Sequence, residues 1–111
     1  MKYVIFVQST PDDFENLEQQ MPAYRAYSEA LSKAGVLTGG HALQAGHTTT
    51  TVRIKDGQRQ VQDGPYADTK EQLGGFFVIE VADLDEALDW AAKCPAAGHC
   101  AVEVRPVLEM A

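Results

Sequence analysis

The pattern of apolar and polar positions changes period several times along the chain. Tyr3-Val4-Ile5-Phe6-Val7 is apolar at every position, which predicts a strand buried on both sides and central in its sheet. Thr10-Pro11-Asp12-Asp13 offers a capping residue, a proline at the first helical position and acids where the helix dipole favours them, so a helix is predicted to begin there. Its apolar stripe runs through Phe14, Leu17, Met21, Tyr24, Leu31 and Ala34, with Tyr27 beside it. Pro22 lies within the stripe and is expected to break or kink the helix into two pieces. Gly35 is placed to end it with a left-handed residue.

Strand character resumes at Val36-Leu37-Thr38 and runs through Gly39-Gly40 to His41-Ala42-Leu43, the glycine pair predicting a bulge or a close approach. Thr48 to Lys55 and Gln58 to Gln62 read as two antiparallel strands joined by the two-residue hairpin turn Asp56-Gly57. Asp63 to Gln72 is rich in turn residues, and the capping-box spacing of Thr69 and Gln72 predicts a single helical turn after Thr69. Gly75 to Val81 is a second strand with two apolar faces. Asp83 and Glu86 cap a helix whose face is Leu84, Ala87, Leu88 and Ala91, and Pro95 ends it. The last strand, Ala101 to Val107, turns Val102 and Val104 inward and Glu103 and Arg105 outward.

This order predicts one α+β domain spanning residues 1–111, a ferredoxin-like antiparallel sheet with two helices on one face. Two helices cover only one face, yet the two central strands are apolar on both. A second copy packed sheet to sheet about a two-fold axis meets that need without extra sequence, so a homodimer is expected.

Composition narrows the class further. Of 111 residues, 45% are hydrophobic and 23% charged, which excludes disordered and fibrous classes. The formal net charge of −7 would repel nucleic acid and anionic membranes, so neither is expected as a partner. No apolar run approaches the ~20 residues of a membrane span, and Lys2 with the short segment after it lacks the pattern of a secretory signal, so a cytoplasmic protein is expected. Cys94 and Cys100 have neither redox nor zinc spacing and read as two reduced thiols. No histidine pair has metal-ligand spacing, and the glycine pairs lack the spacing of phosphate loops, so neither metal nor cofactor is predicted.

Candidate chemistry rests on few residues. Asp63 before Gly64-Pro65 is a loop carboxylate that becomes a general base if burial raises its pKa. It is equally a turn initiator accepting backbone N–H bonds, with Gly64 required by the following proline. Tyr24, Tyr27 and Tyr66 are candidate ligand contacts as cavity-lining hydroxyl donors, set against the usual fate of a helical tyrosine in the core. His41, after Gly39-Gly40, is a candidate proton shuttle; His47 and His99 are isolated loop histidines with weaker claims. Lys70 and Glu71 read as a solvated turn.

Asp63-Gly64-Pro65-Tyr66, followed by Ala67 to Phe76, closely resembles the DGPF-motif branch of the YCII-related family. Further matching stretches are Ala34 to Gly40, Asp83 to Ala92 and Val102 to Val107, so the resemblance runs nearly end to end. Tyr66 stands where the motif has phenylalanine. The resemblance implies a dimeric α+β barrel. It also implies small enzymes with an active pair made of a histidine on the first helix and a downstream aspartate, most of them without an assigned reaction. Asp63 matches the aspartate, but the first helix holds no histidine and offers Tyr24 and Tyr27 instead. Members of this branch are also associated with extracytoplasmic-function sigma factors.

The leading expectation is a cofactor-independent enzyme, or enzyme-like protein, for a small organic ligand. Asp63 would act as general acid or base in a pocket between sheet and helices, in proton abstraction or elimination assisted by a tyrosine hydroxyl. The alternative is a non-catalytic ligand-binding or regulatory module associated with such a sigma factor. In a third reading the Asp63 motif only stabilises the fold and dimer.

Overall fold

The computed structural model describes residues 1–65 and 69–110. Tyr66 lies outside the described residues. The elements are β1 (Lys2–Ser9), α1 (Pro11–Glu15), α2 (Leu17–Lys33), β2 (Leu37–Ala42), β3 (Thr50–Lys55), β4 (Gln58–Asp63), β5 (Gln72–Glu80), α3 (Leu84–Ala92) and β6 (Val102–Pro106). Single 3-10 turns occupy Gly46–Thr48 and Pro95–Gly98. Four strands form an antiparallel sheet in the order β2-β5-β1-β6, which is the ferredoxin-like α+β arrangement. β1 and β5, the two strands without alternation, hold the central positions.

The core lies between this sheet and the helices. Tyr3, Ile5 and Val7 of β1 and Ile79 of β5 meet Tyr27 and Leu31 of α2 and Ala87 and Ala91 of α3. Ile5, Leu31 and Ile79 are fully buried. The opposite face carries Val4 and Phe6 of β1, paired with Val78 and Phe76 of β5. These four stay only half-buried, so the sheet shows water an apolar surface that the chain's own helices do not reach.

The hairpin forms where Asp56-Gly57 predicts it, with φ of 51° and 75° at the two turn residues. It joins no strand of the main sheet, however, and β3 and β4 make a two-stranded sheet of their own. Val52, Ile54 and Val61 are 56–67% exposed, and their register, with Val52 opposite Val61, places them on one face. The Cα radius of gyration, 15.7 Å, exceeds the about 13 Å of a compact chain this long. The extents of 47 × 42 × 17 Å describe a two-layer slab.

Two local expectations are corrected. α2 runs unbroken through Pro22, because a proline near the helix start removes a single i→i−4 bond while the flanking turns keep theirs. The interruption falls instead at Asn16, with φ −106° and ψ 27°, whose side-chain amide donates to the Asp12 carbonyl at 2.9 Å. After Thr69 there is no helical turn: its hydroxyl donates to the Glu71 carbonyl at 2.6 Å, and β5 begins at Gln72. Gly35, with φ 73°, ends α2, and Asp83 caps α3 by accepting the Glu86 N–H at 2.9 Å. No helix among the described residues is long and apolar enough to cross a membrane.

Candidate functional site

A cavity of about 830 Å³ opens between α2 and the β2-β5 edge of the sheet. Its floor explains the glycine pairs: Gly39-Gly40 of β2 and Gly74-Gly75 of β5 all line it, on neighbouring strands that pair Gly40 with Phe77 and Ala42 with Gly75. Main chain without side chains leaves the space. At Gly40 nothing else fits, since φ is +149° and a Cβ would lie 2.5 Å from the Phe76 carbonyl oxygen. The walls are apolar, with Phe14, Leu17, Met21, Leu43 and Phe77 among them.

Asp13 forms the polar end. Its residue is 7% exposed, the one buried charged group among the described residues. One carboxylate oxygen, Oδ2, accepts the Thr10 backbone N–H at 2.7 Å and the Thr10 hydroxyl at 3.2 Å. The other, Oδ1, accepts the Gln20 side-chain amide at 3.1 Å and stands 3.0 Å from His99 Nε2. Burial pushes the carboxyl up, but the Thr10 N–H, the Gln20 amide, the Thr10 hydroxyl and His99 together outweigh it and hold Asp13 below the ordinary carboxylate value. The imidazole is half-exposed, placed by the 3-10 turn Pro95–Gly98, whose Ala96 carbonyl accepts the His99 N–H. Asp13 therefore faces the cavity while His99 reaches solvent.

The sequence candidates separate in space. Tyr24 lines the cavity, and burial, with Cys94, Asp13 and Cys100 nearby, pushes its phenol to about 12, so it remains an O–H donor. His41 also lines it, its ring edge-on to Phe76 with centroids 5.9 Å apart. Tyr27 does not: it is a core residue, its hydroxyl donating to the Trp90 carbonyl at 2.7 Å and its ring perpendicular to Phe77. Burial raises both thiols, Cys94 and Cys100, so neither is activated as a thiolate.

Asp63 is not at the polar end of this cavity. It ends β4, is exposed, and lines a second space of about 770 Å³ together with His47, Lys70 and Gln72. The physical reason is the independent hairpin, which carries Asp63 away from the main sheet. Beside it the turn is closed by the Gly64 N–H donating to the Thr49 carbonyl and the Thr51 hydroxyl donating to the Gly64 carbonyl, each at 2.7 Å. Phe14 and Ser9 line both spaces and stand between them.

The Asp13–His99 pair was not visible as a pair in the sequence. Asp13 carries the signal of a helix-start acid and His99 that of a loop histidine, and no periodicity links them. The arrangement inverts the active pair that the family resemblance implies: here the first helix supplies the acid and a downstream turn the imidazole.

This fold and site belong with small α+β proteins that enclose a ligand-sized cavity between sheet and helix. The YCII-related domain matches residues 1–111, and the chain is a member of the YCII-related family. An uncharacterised protein of Rhizobium meliloti (strain 1021) is 39% identical over 97 residues, covering 84% of this chain and 77% of that protein. Among solved structures, 5-chloro-2-hydroxyhydroquinone dehydrochlorinase from Burkholderia phenoliruptrix AC1100, in complex with 2,5-dihydroxybenzoquinone, is similar in fold. It superposes with a TM-score of 0.60 over 99% of this chain and 96% of that one, at 18% identity.

Proposed function

We propose that this chain is a cofactor-independent enzyme that removes a proton from a hydroxylated ring in the cavity between α2 and the sheet and expels an anionic leaving group. The observation that carries the reading is the buried Asp13 carboxylate at the cavity's end, tied at 3.0 Å to a solvent-reaching imidazole. A carboxylate held below its ordinary pKa takes protons from acidic groups such as hydroxyquinone O–H rather than from weak carbon acids. The proton passes to Asp13 and then to His99 Nε2 in the tautomer whose own proton sits on Nδ1. In the keto tautomer of the ring, where the carbon bearing the leaving group is sp3, the electron pair of the O–H bond becomes a carbonyl π bond, the displaced ring π pair forms a double bond to that carbon, and the leaving group departs with the pair of its own bond. Such an elimination of HX balances without any outside oxidant. Tyr24, protonated, donates to an oxygen of the bound ring molecule. The dehydrochlorinase of similar fold, bound to a dihydroxybenzoquinone, supports ring chemistry in this scaffold.

The assembly in this reading is a homodimer, the half-buried face of Val4, Phe6, Phe76 and Val78 packed against its copy. Asp63-Gly64-Pro65 supports membership of the DGPF-motif branch, and in this reading Asp63 serves the second space rather than the ring. The test is chloride release from a chlorinated hydroxyhydroquinone. Wild type releases chloride; Asp13→Asn and His99→Gln lose about 100-fold or more in kcat while still binding 2,5-dihydroxybenzoquinone. Absence of release, or a loss confined to Asp63→Asn, would return the role to Asp63 or remove it.

A second reading rests on the hairpin face of Val52, Ile54 and Val61. A non-catalytic module would use it to contact a protein such as an extracytoplasmic-function sigma factor. Capture of that factor by wild type and its loss in Val52→Asp, with no chloride release by either, would favour this reading.

A further inference from the structure

Along the cavity wall formed by α2, three hydrogen-bond donors stand without acceptors among the described residues. Among the described residues Arg25 is the only lysine or arginine lining the cavity, and its guanidinium makes neither an ion pair nor a hydrogen bond with them. The Ser28 hydroxyl, three residues on and therefore on the same helix face, lines the cavity and is likewise without a partner there. So is the phenol of Tyr24, protonated and four residues before Ser28. Asp13, the other formal charge in the lining, is already met by four donors.

We propose that the ring molecule taken by this cavity carries a carboxylate, and that Arg25, with the hydroxyls of Ser28 and Tyr24, receives it. The inference rests on the proposed ring chemistry and names its substrate class. Gln20, which holds Asp13, and Arg25 both lie on α2 and line the cavity, so a ring molecule sets a hydroxyl toward Asp13 and its carboxylate toward Arg25. A carboxylate supplies lone pairs for all three donors, the guanidinium taking two in parallel. Asp13 would repel it, so the two charges also fix which way round the ring enters.

The experiment compares two rings of nearly equal shape, 2,5-dihydroxybenzoate and its neutral amide, 2,5-dihydroxybenzamide, by isothermal titration calorimetry on the full chain. Wild type is expected to bind the carboxylate about tenfold more tightly at low salt, and the preference should shrink as salt rises because Arg25 is exposed. Arg25→Gln should abolish the preference and leave the amide's affinity unchanged, while Arg25→Lys keeps part of it. Binding of both rings without preference in wild type, or equal weakening of both in Arg25→Gln, overturns the carboxylate assignment and leaves the ring site standing. Binding of neither ring, together with no chloride release, overturns both.

Discussion

Asp13 and His99, 86 residues apart in the chain, meet at 3.0 Å and join the start of the first helix to the turn that follows the last. The carboxylate is the anchor of the contact. It gathers the entry to α1, the first turns of α2 through Gln20, and the Pro95–Gly98 turn around one cavity wall.

This anchoring gives stability a definite pH dependence. With its carboxyl held below the ordinary value of 3.8, folded Asp13 binds fewer protons than the unfolded chain. Its contribution is complete above the ordinary carboxylate range and is lost as pH falls through the lowered folded value. Urea unfolding of Asp13→Ala at neutral pH should show a loss of about 1–2 kcal/mol. Between neutrality and strong acid its stability should fall less than that of wild type. An unchanged acid limb would mean that the carboxylate is not stabilised by its donors.

The two helical tyrosines should respond oppositely. Tyr27→Phe removes the buried hydrogen bond to the Trp90 carbonyl and should lower stability by about 1–2 kcal/mol without changing ligand affinity. Tyr24→Phe removes a hydroxyl that faces the cavity and should leave stability within ~0.5 kcal/mol while weakening 2,5-dihydroxybenzoate. Chemical denaturation and calorimetry on both variants make the comparison.

Glycines at the cavity floor and at the hairpin tip should differ in cost. At Gly40 an added Cβ meets the Phe76 carbonyl oxygen at 2.5 Å, so Gly40→Ala should cost about 3 kcal/mol through backbone displacement. Gly57 has φ +75° and open space around it, so Gly57→Ala should cost only about 1 kcal/mol, the price of a left-handed alanine. Thermal melts of the two variants would rank them.

Sedimentation equilibrium should give twice the monomer mass for wild type. Phe6→Glu places a charge in the middle of the half-buried sheet face, opposite Phe76, and should shift the equilibrium to monomer. A wild-type monomer at micromolar concentration would end the homodimer proposal.

Much of the scaffold is legible in local sequence because its signals are local. Unbroken apolar runs mark β1 and β5 as central, Gly35 and Asp83 act through their own backbone, and Asp56-Gly57 specifies its turn. Legibility stops where an outcome depends on distant partners. The period of β3 and β4 predicts strands but carries nothing about which sheet they join, and Asp63 was displaced by that alone. The continuity of α2 through Pro22 depends on neighbouring turns that absorb a single missing bond. The Asp13–His99 pair has no local signature. The glycine pairs were visible as strand irregularities, yet that they share one cavity follows only from the register of β2 on β5.

The hairpin of β3 and β4, sitting between the second and third strands of the four-stranded sheet yet bonded to neither, amounts to a graft on a smaller fold. Its exposed tip at Asp56-Gly57 is therefore a natural port for insertions. A peptide tag or fluorophore placed there would report on the molecule without disturbing Ile5, Leu31 or Ile79.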